Sequence, residues 1–139
     1  MRQFEPRRTQ RAQRGSERVN ELTETIIGCA IKVHRVLGPG LLEKTYQVCL
    51  THELQKAGLA VLTEVVLPVV YDGVRLEAGY RIDILVEDKV IVELITVERV
   101  LPIHEAQLIS YLKLSGKRVG LLINFNVRML VDGVRRLAN

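Results

Sequence analysis

Asp83 and Glu93 are the two residues whose type and spacing offer the most chemistry. They lie in two β-branched runs, residues 80–86 and 90–95, which a short polar segment separates, and this pattern predicts a β-hairpin. If the turn has three residues, Asp83 faces Glu93, because side chains alternate between the two faces of a strand. Opposed Cβ atoms lie about 4.5–5.5 Å apart, where like charges destabilise a sheet unless a cation compensates. Because carboxylate oxygens are hard ligands, the pair suggests a site for Mg²⁺ or Mn²⁺.

The same hairpin has a less specific interpretation. Acidic side chains are common on a solvated sheet face, and Arg81 lies on the predicted face of Asp83, where it would neutralise the charge. The other face is predicted to be wholly apolar and buried, with Ile82, Ile84, Val86, Val90, Val92 and Leu94. A register shifted by one residue would bury Asp83 among these side chains at a high cost in free energy. The register is therefore well determined, whereas the charge that balances the two acids is either a metal ion or Arg81.

Two helical segments carry further polar candidates. Glu43 lies in the first turn of a predicted helix that follows Gly38-Pro39-Gly40, where the helix dipole favours its charge. Tyr46, three residues later, lies near the same helix face. Gln107 and Tyr111 are four residues apart in a later helix and share a face. Glu43 as a helix-stabilising acid and Gln107 as an ordinary exposed residue remain the alternatives.

The elements that must position these residues follow from periodicity and turn signals. Apolar residues at three- and four-residue steps predict helices over residues 19–37, 41–57 and 104–114, and apolar β-branched runs predict strands over 61–71, 80–86, 90–95, 118–124 and 133–137. The Asp72-Gly73 pair predicts a hairpin turn after the first strand. Because several strands follow one another between helices, we expect an α/β fold with an α+β-like order, in which helices flank a mixed central β-sheet.

The charge distribution divides the 139 residues into two parts. Six arginines and two glutamates fall within residues 1–18, so this segment carries the whole net charge of +4, and the remaining residues carry 14 charges of each sign. We expect a flexible Arg-rich arm over residues 1–18 and a single domain over residues 19–139. Because that domain is electrically balanced, its composition does not support a basic nucleic-acid groove, and any nonspecific DNA affinity is assigned to the arm.

Several classes of protein are excluded by composition. The chain has neither an apolar run that could span a membrane nor a signal peptide, so we expect a soluble cytoplasmic protein with no membrane partner. Two cysteines without a CxxC spacing and three scattered histidines argue against a disulfide scaffold and a zinc site. The absence of Trp argues against an aromatic platform for single-stranded nucleic acid.

Three motifs, taken together, resemble a known family. An Asp followed about ten residues later by Glu-x-Lys across a hairpin is the signature of the PD-(D/E)XK nuclease superfamily, and Asp83 with Glu93-Leu94-Ile95 resembles it. Residues 40–46 read GLLEKTY, which is similar to the motif of the GxxExxY family, a bacterial branch of that superfamily. His104-Glu105-Ala106-Gln107 with Tyr111 resembles the helix that follows the Glu-x-Lys strand. The likeness covers residues 19–139.

The resemblance implies a restriction-endonuclease-like core with a metal site. Asp83 and Glu93 would be metal ligands, Glu43 would approach from its helix, and Gln107 would reach the same pocket. Ile95 stands where the family has a lysine, which orients the attacking water and offsets developing charge. Removing one such preorganised group commonly costs about 10²–10³ in rate. Among the remaining cations, Lys44 is about 100° around its helix from Glu43, and we expect it to point elsewhere.

Arg81, predicted opposite Ile95, is the best-placed substitute for the missing lysine, although a guanidinium cannot act as a base. Our main hypothesis is a nuclease-fold protein that keeps the divalent-metal site but is impaired or inactive as a phosphodiesterase. The alternative is a non-catalytic interaction module, as a homodimer, with apolar residues 65–70 in the interface. An active nuclease that uses Arg81 is a third hypothesis.

Overall fold

The computed structural model describes the backbone of residues 6–139 and the side chains from residue 14 onward. In chain order its elements are α1 (Pro6–Leu37), α2 (Glu43–Lys56), β1 (Val61–Val66), β2 (Val69–Tyr71), β3 (Val74–Leu76), β4 (Arg81–Val86), β5 (Val90–Ile95), α3 (Pro102–Ser115), β6 (Val119–Asn124) and β7 (Val134–Ala138), with a 3-10 turn at Leu130–Gly133. Five strands form one sheet in the order β1-β4-β5-β6-β7, and β2 pairs only with β3. Only β5 and β6 are parallel. The predicted mixed sheet flanked by helices is therefore confirmed.

Two apolar cores cover the two faces of the central sheet. The first core joins α1 and α2 to the sheet through residues such as Ile26, Leu50 and Val92. The second core lies under α3 and contains Leu108 and Leu112. Because helices cover both faces, β6 is buried along its whole length and reads as a continuous apolar run rather than an alternating one.

Helix α3 is the crossover between the parallel strands β5 and β6. It begins at Pro102, whose missing N–H is not needed in the first turn, and the Leu101 N–H donates to Nδ1 of His104 at 2.9 Å. It ends at Ser115, and the next residue, Gly116, caps it in the left-handed conformation with φ of 74°. This crossover places α3 over the sheet face that carries Glu93.

Helix α1 differs from the expectation for the N-terminal arm. Residues 6–18 continue the helix that we predicted to begin at residue 19, and residues 14–18 are exposed to solvent. Arg, Gln and Ala are good helix formers, and Pro6 at the helix start has a suitable φ, so a charged segment can extend a helix that packs on the core further along. Residues 1–5 lie outside the described residues. The division into an arm and one domain remains a prediction.

The hairpin of β4 and β5 has the predicted register over its turn end. Ile84 pairs with Val92, Leu85 with Ile91 and Val86 with Val90. The prediction that Ile82 shares the apolar face of Ile84 was wrong, because Ile82 belongs to the second core. Strict alternation of faces therefore fails at the intervening residue, Asp83. The single strand predicted over residues 61–71 is also divided, since Pro68 has no N–H for a ladder.

Candidate active site

The β4–β5 ladder is replaced by side-chain hydrogen bonds at Asp83 and Glu93, which we call the acid pair. The Asp83 N–H donates to Oε2 of Glu93 at 2.7 Å, and the Leu94 N–H donates to Oδ2 of Asp83 at 2.9 Å. Each carboxylate thus accepts a backbone N–H from the opposite strand. The structure therefore brings together the two acids that sequence analysis placed opposite each other, and it shows a pair of crossed carboxylate-to-backbone bonds between them.

The pairing of β4 with β1 is interrupted at the same residue. Thr63 pairs with Ile84 and Val65 with Ile82, but Glu64, between them, does not pair with Asp83. Glu64 has a φ of 52°, a left-handed conformation that costs an L-residue about 1–2 kcal/mol. Strained conformations of this kind cluster at functional sites. Asp83 consequently lies outside the regular ladder on both of its sides.

Burial and the charges of neighbouring acids control the charge of the acid pair. Glu93 is only 8% exposed, and burial, followed by the charge of Asp83, raises its pKa to about 8. Burial also raises the pKa of Asp83, against which the Leu94 N–H acts by stabilising the carboxylate. Glu43 and Glu64 add negative charge that raises both pKa values. The pair therefore retains a proton at neutral pH unless a cation supplies compensating charge.

A cavity of about 260 Å³ opens beside the acid pair on the α3 side of the sheet. Most of the residues predicted from sequence line it, namely Glu43, Arg81, Asp83, Glu93, Ile95, Gln107 and Tyr111, and His104 lines it as well. Gln107 is exposed at its edge, where its Nε2 donates to the Tyr111 hydroxyl at 3.0 Å. Ile95 therefore presents hydrocarbon to the same space as the two acids.

Tyr46 is the one predicted site residue that does not line this cavity. It is fully buried and stacks on Phe125 with 4.4 Å between ring centroids. Its hydroxyl donates to the Gly38 carbonyl at 2.6 Å and accepts the Leu41 N–H at 3.1 Å. Tyr46 thereby fixes the loop that leads into α2, whose first residue is Glu43. Tyr46 therefore acts on the site indirectly, by holding the backbone that precedes Glu43.

Two cations lie near the acids, and neither occupies the position of the motif lysine. Arg81 lines the cavity, but its Nη1 donates to the Tyr80 carbonyl and lies 3.6 Å from Oε1 of Glu77. Lys44, expected to be a poor substitute for the lysine, does not line the cavity that contains Ile95. It lines an adjoining cavity of about 220 Å³ with Glu43, Glu64 and Asp83, and its charge lowers the pKa of Asp83. The helical angle between Lys44 and Glu43 did not reveal that the acidic region extends to β1.

The chemistry of the donors fits a hard divalent cation, although the ligands are not fully assembled. Within the described residues, no group of three His, Cys, Asp or Glu side chains is close enough to hold a metal ion. The acid pair commits one oxygen of each carboxylate to a backbone N–H, and no described residue hydrogen-bonds the other oxygen. Glu43 is exposed and lines the same cavity. The structure thus supplies two fixed carboxylates and a third beside them.

Sequence reasoning missed Gln47 and Glu64. The Nε2 of Gln47 donates to the Asp83 carbonyl at 2.9 Å and to Oε1 of Glu64 at 3.1 Å. Gln47 lies four residues after Glu43, on the same face of α2, and this spacing was the available signal. Glu64 carried no signal, because its φ and its escape from pairing become visible only in the folded sheet.

With the fold and the acid pair established, the comparisons place the chain in a family. The model of the PD-(D/E)XK nuclease superfamily matches residues 20–137, and the chain belongs to this superfamily. No curated protein and no solved structure matches the chain. In the part of the chain that the structure describes, no helix has the length and apolar character needed to cross a membrane. Membership of the narrower GxxExxY family remains a prediction.

Proposed function

We propose that the cavity beside the acid pair holds Mg²⁺ or Mn²⁺ and binds a nucleic-acid phosphate, and that phosphodiester cleavage is impaired or lost. The observation that carries this proposal is the position of Ile95, which lines the same cavity as Asp83 and Glu93. This chain thus has the proposed metal ligands without the positively charged lysine of the superfamily motif. The proposed ligands are retained, whereas the lysine that the superfamily motif expects is replaced by a hydrocarbon side chain.

The electrostatics of the acid pair support the cation. Glu93 is buried and Asp83 is half-buried, and burial raises the pKa of both, so the pair is not fully ionised without compensating charge. A divalent ion would displace the retained proton and supply that charge. When bound, such an ion polarises a phosphate and lowers the pKa of a bound water. Asp83 and Glu93 would bind through the oxygens that do not accept backbone N–H groups. Glu43, which is exposed at the start of α2, would complete the set by a side-chain movement.

The surroundings of Ile95 support impaired cleavage. Arg81 is held toward Glu77, and Lys44 lies 3.8 Å from Oε1 of Glu64, so both cations already have acidic neighbours. Arg81 also cannot accept a proton. Loss of one preorganised charge in such a site lowers the rate by about 10²–10³. We therefore expect binding without efficient turnover.

Three finer assignments belong to the same proposal. Residues 40–46 support membership of the bacterial GxxExxY family, because Glu43 lines the cavity and Tyr46 fixes the loop before it. The concentration of arginines in residues 1–18 supports an electrostatic contact between this segment and DNA. A cytoplasmic location is consistent with the sequence and is retained as a prediction.

Calorimetric titration of Mn²⁺ tests the proposal without assuming a substrate. The parent protein should bind one Mn²⁺, and Asp83→Asn should weaken the affinity at least about tenfold, or 1.4 kcal/mol. Asp88→Asn is the matched control, because Asp88 lies in the turn of the same hairpin and pairs with Lys117 at 2.9 Å. Equal affinities of the parent and Asp83→Asn would refute the site.

The second candidate function is a non-catalytic interaction module that forms a homodimer. Of the residues 65–70 predicted for the interface, Leu67 is buried in the second core, but Val70 is 64% exposed and the neighbouring Tyr71 is 71% exposed. Contiguous exposed apolar surface commonly marks an interface. Sedimentation equilibrium should then show a dimer that Val70→Lys dissociates. Val131→Lys, at an equally exposed valine on the 3-10 turn, should remain dimeric, and a monomeric parent would exclude this function.

A further inference from the structure

The backbone of Asp83 is held by side chains rather than by neighbouring strands. Its N–H donates to Glu93 Oε2, and its carbonyl accepts the Nε2 of Gln47 at 2.9 Å. Neither Glu64 on β1 nor Glu93 on β5 pairs with it in the sheet registers. One residue of a central strand thus has both of its backbone polar groups satisfied outside the ladder.

The orientation of the Gln47 amide is determined by its partners. The Asp83 carbonyl and the Glu64 carboxylate can only accept hydrogen bonds, so the NH₂ group of Gln47 must face both of them. Gln47 is only 6% exposed, so packing leaves its side chain little room to turn away from these two acceptors. Without this amide, the half-buried Asp83 carbonyl would lose this hydrogen bond, and the strand would have to shift or admit a water to replace it.

We propose that Gln47 is a positioning residue for the acid pair. Its buried amide holds the Asp83 backbone out of the β1–β4 ladder, and this displacement allows the Asp83 and Glu93 carboxylates to cross the hairpin. Gln47 lies one helical turn after Glu43, so α2 both presents a candidate ligand and fixes the backbone of another. The test of this inference by Mn²⁺ affinity rests on the proposed function, whereas the test by hydrogen exchange does not.

The first test measures Mn²⁺ affinity in a double-mutant cycle. Gln47→Met keeps the length of the side chain and removes the donor, and it should weaken Mn²⁺ binding by about fivefold. In an Asp83→Asn background the same change should add little further loss, because Gln47 acts through Asp83. Leu54→Ala is the control for general destabilisation, since Leu54 is fully buried in the first core on the same helix. It should leave the affinity of the folded protein unchanged.

The second test uses hydrogen exchange and needs no cation. Gln47→Met should speed exchange of the Asp83 and Leu94 amides, which donate to the acid pair, more than it speeds exchange at Val92. Leu54→Ala should not produce this local pattern. If Gln47→Met does not fold, Gln47→Asn replaces it, because the amide is kept but is one methylene too short to reach Asp83.

The outcomes separate the two proposals. A parent protein that binds no Mn²⁺ refutes the proposed function, and the exchange pattern then decides the role of Gln47 alone. If the parent binds Mn²⁺ and Gln47→Met binds it equally tightly, with unchanged exchange at Asp83 and Leu94, Gln47 is not a positioning residue. A loss of affinity that is the same with and without Asp83→Asn also overturns the inference, because the effect would then not pass through Asp83.

Discussion

The two ends of the β4–β5 hairpin are built on different principles. At the turn end, Ile84, Leu85 and Ile91 pair in a continuous ladder and are buried in the two cores. At the open end, Asp83 and Glu93 exchange the ladder for carboxylate-to-backbone bonds. The regular end supplies the packing that stabilises the hairpin, and this allows the other end to hold two repelling acids close together. Apolar packing at the turn end therefore offsets the unfavourable free energy of placing the two acids together at the open end.

The largest expected effect is the loss of stability when a core side chain at the turn end is truncated. Ile91→Ala should lower the free energy of unfolding by about 2–5 kcal/mol, because Ile91 is fully buried beneath α3. Ile95→Ala, at the partly buried open end, should cost less than half as much. Urea unfolding of both variants measures the two costs. Equal costs would mean that the open end contributes as much packing as the turn end.

Restoring the lysine should test the open end as a catalytic site. Ile95→Lys should raise Mn²⁺-dependent plasmid nicking by about 10²–10³, equivalent to roughly 2.7–4 kcal/mol, because it places an ammonium beside Glu93 in the cavity. Lysine is tolerable here because its stem can follow the sheet toward solvent. Ile95→Met is the control, since it has a long side chain without charge.

The activity of the parent protein in the nicking assay should not depend on Arg81. Arg81→Ala should change the activity of the parent little, because the guanidinium contacts Tyr80 and Glu77. If Ile95→Lys folds and binds Mn²⁺ but cuts no DNA, the missing lysine is not the only defect, and the interaction module becomes the better hypothesis.

The pH dependence of stability should follow the acid pair. The pKa of Glu93 is about 8 in the folded protein and lies near 4.5 when unfolded, so the folded state binds more protons between these values. Stability should therefore fall as pH rises from 4.5 to 8, by at most about 1.4 kcal/mol for each pH unit. Unfolding curves of the parent and Glu93→Gln across this range measure the contribution. An equal slope in Glu93→Gln would assign the dependence to other groups.

The sequence determined the turn end better than the open end. Alternating β-branched residues and a short polar turn were sufficient to predict the register of Ile84 with Val92 and the proximity of the two acids. They were not sufficient to predict that Ile82 joins the second core, because alternation assumes an unbroken ladder. The spacing from Glu43 indicates the helix face of Gln47, but the contacts of Gln47 and Lys44 depend on how α2 packs over the sheet, which no local pattern contains.

The smallest expected effect is the change in stability when a residue with a left-handed backbone is replaced by glycine near either end of the hairpin. Asp88, in the turn, has a φ of 54°, and Glu64, beside the acid pair, has a φ of 52°. Glycine adopts this conformation without steric cost, so Asp88→Gly and Glu64→Gly should each recover about 1 kcal/mol. Each change also removes an ion pair, with Lys117 or Lys44, worth about 0–1 kcal/mol at a surface, and Glu64→Gly removes the hydrogen bond from Gln47 as well. The net gain in unfolding free energy should therefore be small at both ends.

Mn²⁺ affinity should distinguish these two glycine variants where stability does not. Asp88→Gly alters a turn that lies outside the cavities, so its affinity should equal that of the parent. Glu64→Gly removes a carboxylate that accepts the Gln47 amide and lines the cavity next to Asp83, so its affinity should be lower. Calorimetric titration and urea unfolding of both variants give the two quantities. If Glu64→Gly is more stable than the parent and binds Mn²⁺ equally well, the strain at Glu64 serves the fold of β1 rather than the site.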